Sequence, residues 1–148
     1  MRTIALPALL LASILLTACG SFEKKWDQSV AAYKSGSVKA PEGPWQGSWA
    51  TNTNGHTGDL RAIVTKKPGS TDEYRFKYHA TWGKIFSGVF GVQYPVEQRG
   101  SSFVMEGDHD LGIFSTFEHR GRISNGSFDA SYSSKKGDVG SFSLKRPQ

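Results

Sequence analysis

The chain holds a single cysteine, Cys19. No intramolecular disulfide can staple the fold, so stability has to come from an ordinary apolar core. Apolar runs are short as well: the longest, from Ile4 to Leu16, falls below the roughly 20 residues that cross a bilayer as a helix, and Glu23, Lys24 and Lys25 follow soon after. A permanent transmembrane helix is the weaker reading. Catalytic signatures are missing too, with no Gly-x-Ser-x-Gly elbow, no His-Glu-x-x-His, no phosphate loop and no dinucleotide fingerprint. Asp108-His109-Asp110 has the start of a calcium loop, but Gly112 stands where the third oxygen ligand is needed, so neither a metal nor another cofactor is expected. Glu106 and Glu118 fall on an outer face by alternation and have no shelter. Of the four histidines, His56 and His109 belong to turns, His79 faces outward, and His119 shares the inward register of Phe117. One inward histidine beside tyrosines indicates a satisfied core hydrogen bond. The expectation is a protein that is not an enzyme.

Charge of one sign is not concentrated anywhere. The net charge is +5, spread over the pairs Lys24-Lys25, Lys66-Lys67, Lys135-Lys136 and Lys145-Arg146 at expected strand ends. That pattern describes a solvated rim, with attraction to anionic lipid, glycan or a protein as the alternative, and it gives no nucleic-acid signature.

What is present begins with an address. Arg2 supplies a positive start, an apolar segment follows, and the segment closes on Leu16-Thr17-Ala18-Cys19. This is the layout of a secretory signal peptide over residues 1–18. The four closing residues resemble the lipobox of bacterial lipoproteins, in which a leucine and two small residues precede the modified cysteine. The resemblance implies cleavage before Cys19, diacylglycerol on its sulfur and an acyl chain such as palmitate on its new amino group. One acyl chain holds a protein only marginally, at about 0.8 kcal/mol per buried methylene, whereas two or three make attachment effectively permanent. In that family Asp after the cysteine favours the inner membrane. Gly20 stands there instead, which implies the outer membrane, facing the periplasm.

Residues 19–43 read as a lipidated tether. Phe22, Trp26, Val30 and Tyr33 fall on one stripe of a helix over about 21–34, with Ser21 as its cap. The stripe is expected to close one end of the following domain, or else to lie in lipid headgroups; without a partner so short a helix is marginal. Gly36 to Pro44 forms a connector that ends it.

From residue 44 to 148 the chain alternates apolar and polar residues between turn signals. Seven turns give eight strands, near 45–51, 57–66, 73–82, 84–96, 102–108, 113–122, 127–134 and 139–146. Tyr74, Phe76, Tyr78, Ala80 and Trp82 share one face, as do Phe86, Gly88, Phe90, Val92 and Tyr94, while Arg75, Lys77, His79 and Thr81 belong in water. Eight consecutive hairpin-joined strands predict an all-β fold, an eight-stranded up-and-down antiparallel barrel, with a β-sandwich as the alternative. The opening strand carries Gly47-Ser48-Trp49, which resembles the Gly-x-Trp of calycin barrels, whose tryptophan packs across the barrel floor. The run from Trp45 to Arg61, with Trp82-Gly83 and Asp138 to Phe142, also resembles an uncharacterised group of secreted bacterial proteins.

The richest constellation is aromatic. Trp49, Tyr78, Trp82, Phe86, Tyr94 and Tyr132, with Phe90, Phe117 and Phe128, face inward by alternation. Either they line a cavity at one mouth, beside Gly83, Gly88 and Gly91, and bind a small apolar or amphipathic ligand, or they fill the barrel completely. In the second case the module would use its outer surface to contact an envelope protein, inhibit a hydrolase or hold cell-wall polymer.

Overall fold

Asn125 and Gly126 adopt φ of 50° and 76°, the doubly left-handed geometry of a two-residue turn that matches the twist of the strands it joins. Comparable hairpins organise the whole domain. The computed structural model of the chain describes residues 6–110 and 116–148, with side chains from Gly20 onward. Its elements are α1 (Leu6–Lys34), β1 (Gly43–Thr51), β2 (Thr57–Lys66), β3 (Glu73–Trp82), β4 (Phe86–Arg99), β5 (Ser102–Asp110), β6 (Thr116–Ser124), β7 (Ser127–Ser134) and β8 (Val139–Lys145). Each strand pairs antiparallel with the next, and β8 returns to β1 to close an eight-stranded up-and-down barrel. The sandwich alternative is thereby excluded. The expected start of the sixth strand at 113 and the side chain of Cys19 lie outside what is described. Among the described residues no helix is long and apolar enough to cross a membrane.

Closure is uneven around the barrel. β3 and β4 share ten residue pairs, from Glu73–Pro95 to Trp82–Phe86, whereas β4 and β5 share four, Val96–Met105 to Arg99–Ser102. Beside that short seam the ring of Tyr94 lies against Gly107, where an added Cβ would meet it at 2.7 Å.

Packing divides the interior along its axis. At the end that carries the β2–β3 and β6–β7 turns, Trp45, Val64, Phe76, Ile123, Phe128 and Leu144 are buried to within a few per cent. Trp45 meets Phe128 edge-on at 5.9 Å, and its indole N–H donates to the Pro41 carbonyl at 3.1 Å. The Arg146 guanidinium covers the outer face of Trp45 at 3.8 Å and stacks on Tyr33 at 4.7 Å. This end is sealed. The floor tryptophan is therefore Trp45, from Gly43-Pro44-Trp45, which is also a Gly-x-Trp, and not Trp49 of Gly47-Ser48-Trp49. Strand direction decides this: β1 enters at the sealed end, so the earlier tryptophan reaches the floor and the later one the opposite end.

The helix is longer than the expected 21–34; Phe22, Trp26 and Val30 of its stripe pack on the outer wall, and Tyr33 alone reaches an end, where it lies on Arg146. Phe22 and Trp26 are buried against Ile63, with Val30 and Val89 alongside. Arg61 stands 5.1 Å from the ring centres of both Phe22 and Trp26 and is paired with Glu23, donating to its Oε2 at 3.0 Å. His79, expected in water, lies under Phe22 at 5.2 Å and accepts from Arg61 at 3.2 Å. Burial foremost, with the Arg61 charge, pushes its imidazole below the ordinary range. The physical reason is that Ile63 and Val89 interrupt the polar outer face of β2 to β4, and the helix stripe is what covers them.

Candidate functional site

At the other end the described residues leave the barrel open. Short β-branched and aromatic strands bring Trp49 of β1, Leu60 of β2, Tyr78, Ala80 and Trp82 of β3, and Phe90 of β4 to one side of a cavity. Phe117 and His119 of β6, Tyr132 of β7 and Phe142 of β8 face them, with Asp138 at the β7–β8 turn. The cavity measures about 330 Å³. That is near the lower bound of the roughly 300–1,000 Å³ typical of small-molecule sites, so it suits one ring system or one short chain.

Close backbone approach sets the shape of this mouth. The Trp49 indole N–H donates to the Thr81 carbonyl at 2.9 Å, across β2. That reach needs Gly58 between them, because a Cβ at position 58 would collide with the Thr81 carbonyl oxygen and stand 2.8 Å from Trp49 Nε1. Tyr78 stacks on Phe90 at 5.2 Å and meets Phe142 edge-on at 5.7 Å. These rings are held by one another, which gives the walls fixed positions.

Polar groups in the wall are few. Tyr94 lies behind it, buried, with its phenolic oxygen 2.6 Å from His119 Nδ1. Burial raises the Tyr94 phenol far above its usual range, and burial, followed by the charge on His109, pushes the His119 imidazole down to about 4. Both are neutral at pH 7. A buried phenol must place its proton on an acceptor, so Tyr94 O–H donates to Nδ1 and the other ring nitrogen carries the hydrogen. Tyr132 is also raised, by burial and then by the Asp138 carboxylate. Asp138 in turn accepts from Thr51 at 2.6 Å and from Thr53 at 3.1 Å. Among the described lining residues there is neither Lys nor Arg, so these residues offer no partner for an anionic headgroup.

Of the expected ligand-binding residues, the structure brings Trp49, Tyr78, Trp82 and Tyr132 into the wall. Tyr94 is a supporting residue rather than a lining one. Phe86 stacks on Trp82 at 6.4 Å from the solvent side and is 58 % exposed. The aliphatic and acidic lining, Leu60, Ala80 and Asp138, was not singled out by sequence reasoning; the alternation Leu60, Ala62, Val64 places Leu60 on the inner face but says nothing of how high it stands. Glu106 and Glu118 flank Arg120 on the outer surface at 2.9 and 2.8 Å. Among the described residues no group of three metal-ligating side chains comes together. A second, larger groove of about 840 Å³ runs outside the barrel between α1 and β2 to β4, with Lys25, Arg75 and Lys77 on its walls.

No family model and no curated protein matches this chain. Among solved structures it is similar to a redesigned beta barrel, with a TM-score of 0.53 and 14 % identity over 72 % of this chain and 91 % of that one. Two variants of the fluorescent protein UnaG align at 11 % identity, one with a TM-score of 0.42 over 73 % of this chain and 96 % of that chain, the other with 0.40 over 72 % and 95 %. At these identities the likeness concerns the barrel fold.

Proposed function

We propose that the protein is a membrane-anchored, non-catalytic binding barrel that takes a small, uncharged apolar or amphipathic molecule into its open mouth. One observation carries the reading: the interior is sealed at one end by Trp45 and Arg146 and left open at the other over aromatic walls. A protein needing only a filled core has no reason to leave one half unfilled, since a void forfeits packing energy. The absence of a cation among the described lining residues favours a neutral occupant, or an amphiphile whose polar end stays at the rim. Cys19 supplies the attachment through the lipobox, with the outer membrane, facing the periplasm, as its destination.

Native mass spectrometry tests the binding. The chain from Gly20 to Gln148 contains every side chain described in the fold. Purified gently from a bacterial periplasm, it is expected to carry a reproducible adduct that leaves on denaturation. A bare mass, with no binding of added neutral lipids or aromatic amphiphiles, would sink the cavity reading and favour a module that works through its outer surface.

A further inference from the structure

The open mouth carries unusual surface. In the β3–β4 hairpin, Ile85 is 84 % exposed, Phe86 58 % and Trp82 41 %, with Lys84 in the same turn. Three large apolar side chains within five residues are exposed, Trp82 and Phe86 with their rings stacked, and soluble monomers seldom leave such clusters bare. An indole beside aliphatic side chains and a lysine is also the composition that settles at a membrane–water interface.

Helix direction says what covers the patch. The C-terminal end of α1 is pinned at the sealed end, where Tyr33 meets Arg146. Its packed N-terminal part is pinned near the mouth, where Phe22 lies on His79, three residues before Trp82 in β3. From Phe22 the helix rises by about 4.5 Å to Cys19 at about 1.5 Å per residue. From His79 the strand rises by roughly 10 Å along its own tilted axis to Trp82. The chain therefore leaves the domain at the mouth end, close to the level of the exposed hairpin, and not at the sealed end.

We infer that the barrel stands mouth-down on the membrane that holds Cys19, with Trp82, Ile85 and Phe86 seated in the lipid interface and the cavity opening toward the bilayer. The inference rests on the anchor part of the proposed function. It also deepens that proposal, because a mouth in this position draws its occupant from the membrane rather than from water. Lipid anchoring supplies proximity, and the hairpin fixes orientation: a tether alone would let the domain tumble, whereas two attachments at one end do not.

The test reads orientation. In the full acylated protein Cys19 carries lipid, so Ile85→Cys introduces the one free thiol, as does Lys84→Cys in a second variant and Thr71→Cys, at the sealed end, as control. Each is labelled with an environment-sensitive nitrobenzoxadiazole dye and reconstituted in phosphatidylcholine vesicles containing doxyl-labelled lipid. Quenching at 85 and 84 is expected to exceed that at 71 several-fold, with a blue-shifted emission. Equal quenching at both ends, with acylation of Cys19 verified by peptide mass, overturns the orientation and leaves the cavity reading to be judged by the native mass. An unmodified Cys19 overturns the anchor and the orientation together, again without touching the cavity.

Discussion

Tyr94 of β4 and His119 of β6 meet over Gly107 of β5, with 2.6 Å between the phenolic oxygen and Nδ1. Because His119 is held neutral down to about pH 4 whereas an unfolded histidine titrates near 6.5, the unfolded chain binds the extra proton first. Stability from this site is fully present above about pH 6.5 and is lost as pH falls toward 4. The full shift corresponds to roughly 3 kcal/mol, and partial solvent access reduces this to about 2. Urea melts at pH 7 and pH 5 are expected to differ by less in His119→Gln than in the wild type. An unchanged pH dependence in the variant would refute the assignment.

Arg146 seals the barrel floor. Its guanidinium donates to the Pro44 and Glu42 carbonyls at 3.0 and 2.7 Å while stacking on Trp45. Arg146→Ala is expected to lower stability by about 2–3 kcal/mol. Arg146→Lys should recover less than half, since one ammonium cannot make both bonds and stack as well. Denaturant titration of the two variants decides the point.

Removal of the helix contact should be felt locally. Phe22→Ala deletes a fully buried ring between α1 and the wall and is expected to cost about 3 kcal/mol. Hydrogen exchange should speed up over residues 20–34 far more than over the β5–β7 strands.

Gly58→Ala forces a Cβ into the Thr81 carbonyl. The expected loss is about 2–3 kcal/mol, accompanied by a change in near-ultraviolet circular dichroism as the Trp49 bond to Thr81 opens. A variant as stable as the wild type would mean that β2 and β3 can separate there without cost.

Ala80→Leu fills the mouth instead of breaking it. Ala80 is buried in the cavity wall, and the added methyl groups occupy empty space, so stability should change by less than about 1.5 kcal/mol. The native-mass adduct should fall at least tenfold. A variant that folds normally and keeps its adduct would place the ligand elsewhere.

The hairpins were legible because turn chemistry and period-two alternation are local. Asn125-Gly126 and the faces Tyr74 to Trp82 and Phe86 to Tyr94 needed no tertiary information. The helix stripe Phe22, Trp26, Val30 and Tyr33 was equally plain, and all four residues pack on the domain. Its partner was not, because Ile63 and Val89 are single apolar residues on polar faces and become a patch only when β2, β3 and β4 lie side by side. Strand four begins at Phe86 rather than 84 because Gly83 takes φ of 61°, which turns Lys84 and Ile85 out of the sheet. Alternation marked the inner face of every strand but carried no height along the barrel axis. For that reason it could not separate the residues that fill the sealed end from those that line the mouth.

By itself the sequence determined the eight strands, their inward faces and the stripe of the helix, since each depends on neighbours within a few residues. Only the tertiary structure decided that Trp45 closes the floor while Trp49 opens onto the cavity, that Tyr94 supports His119, and that α1 leaves the domain beside the exposed hairpin. Those relationships join residues far apart in the chain, and the shear and closure of the barrel set them, not any local preference.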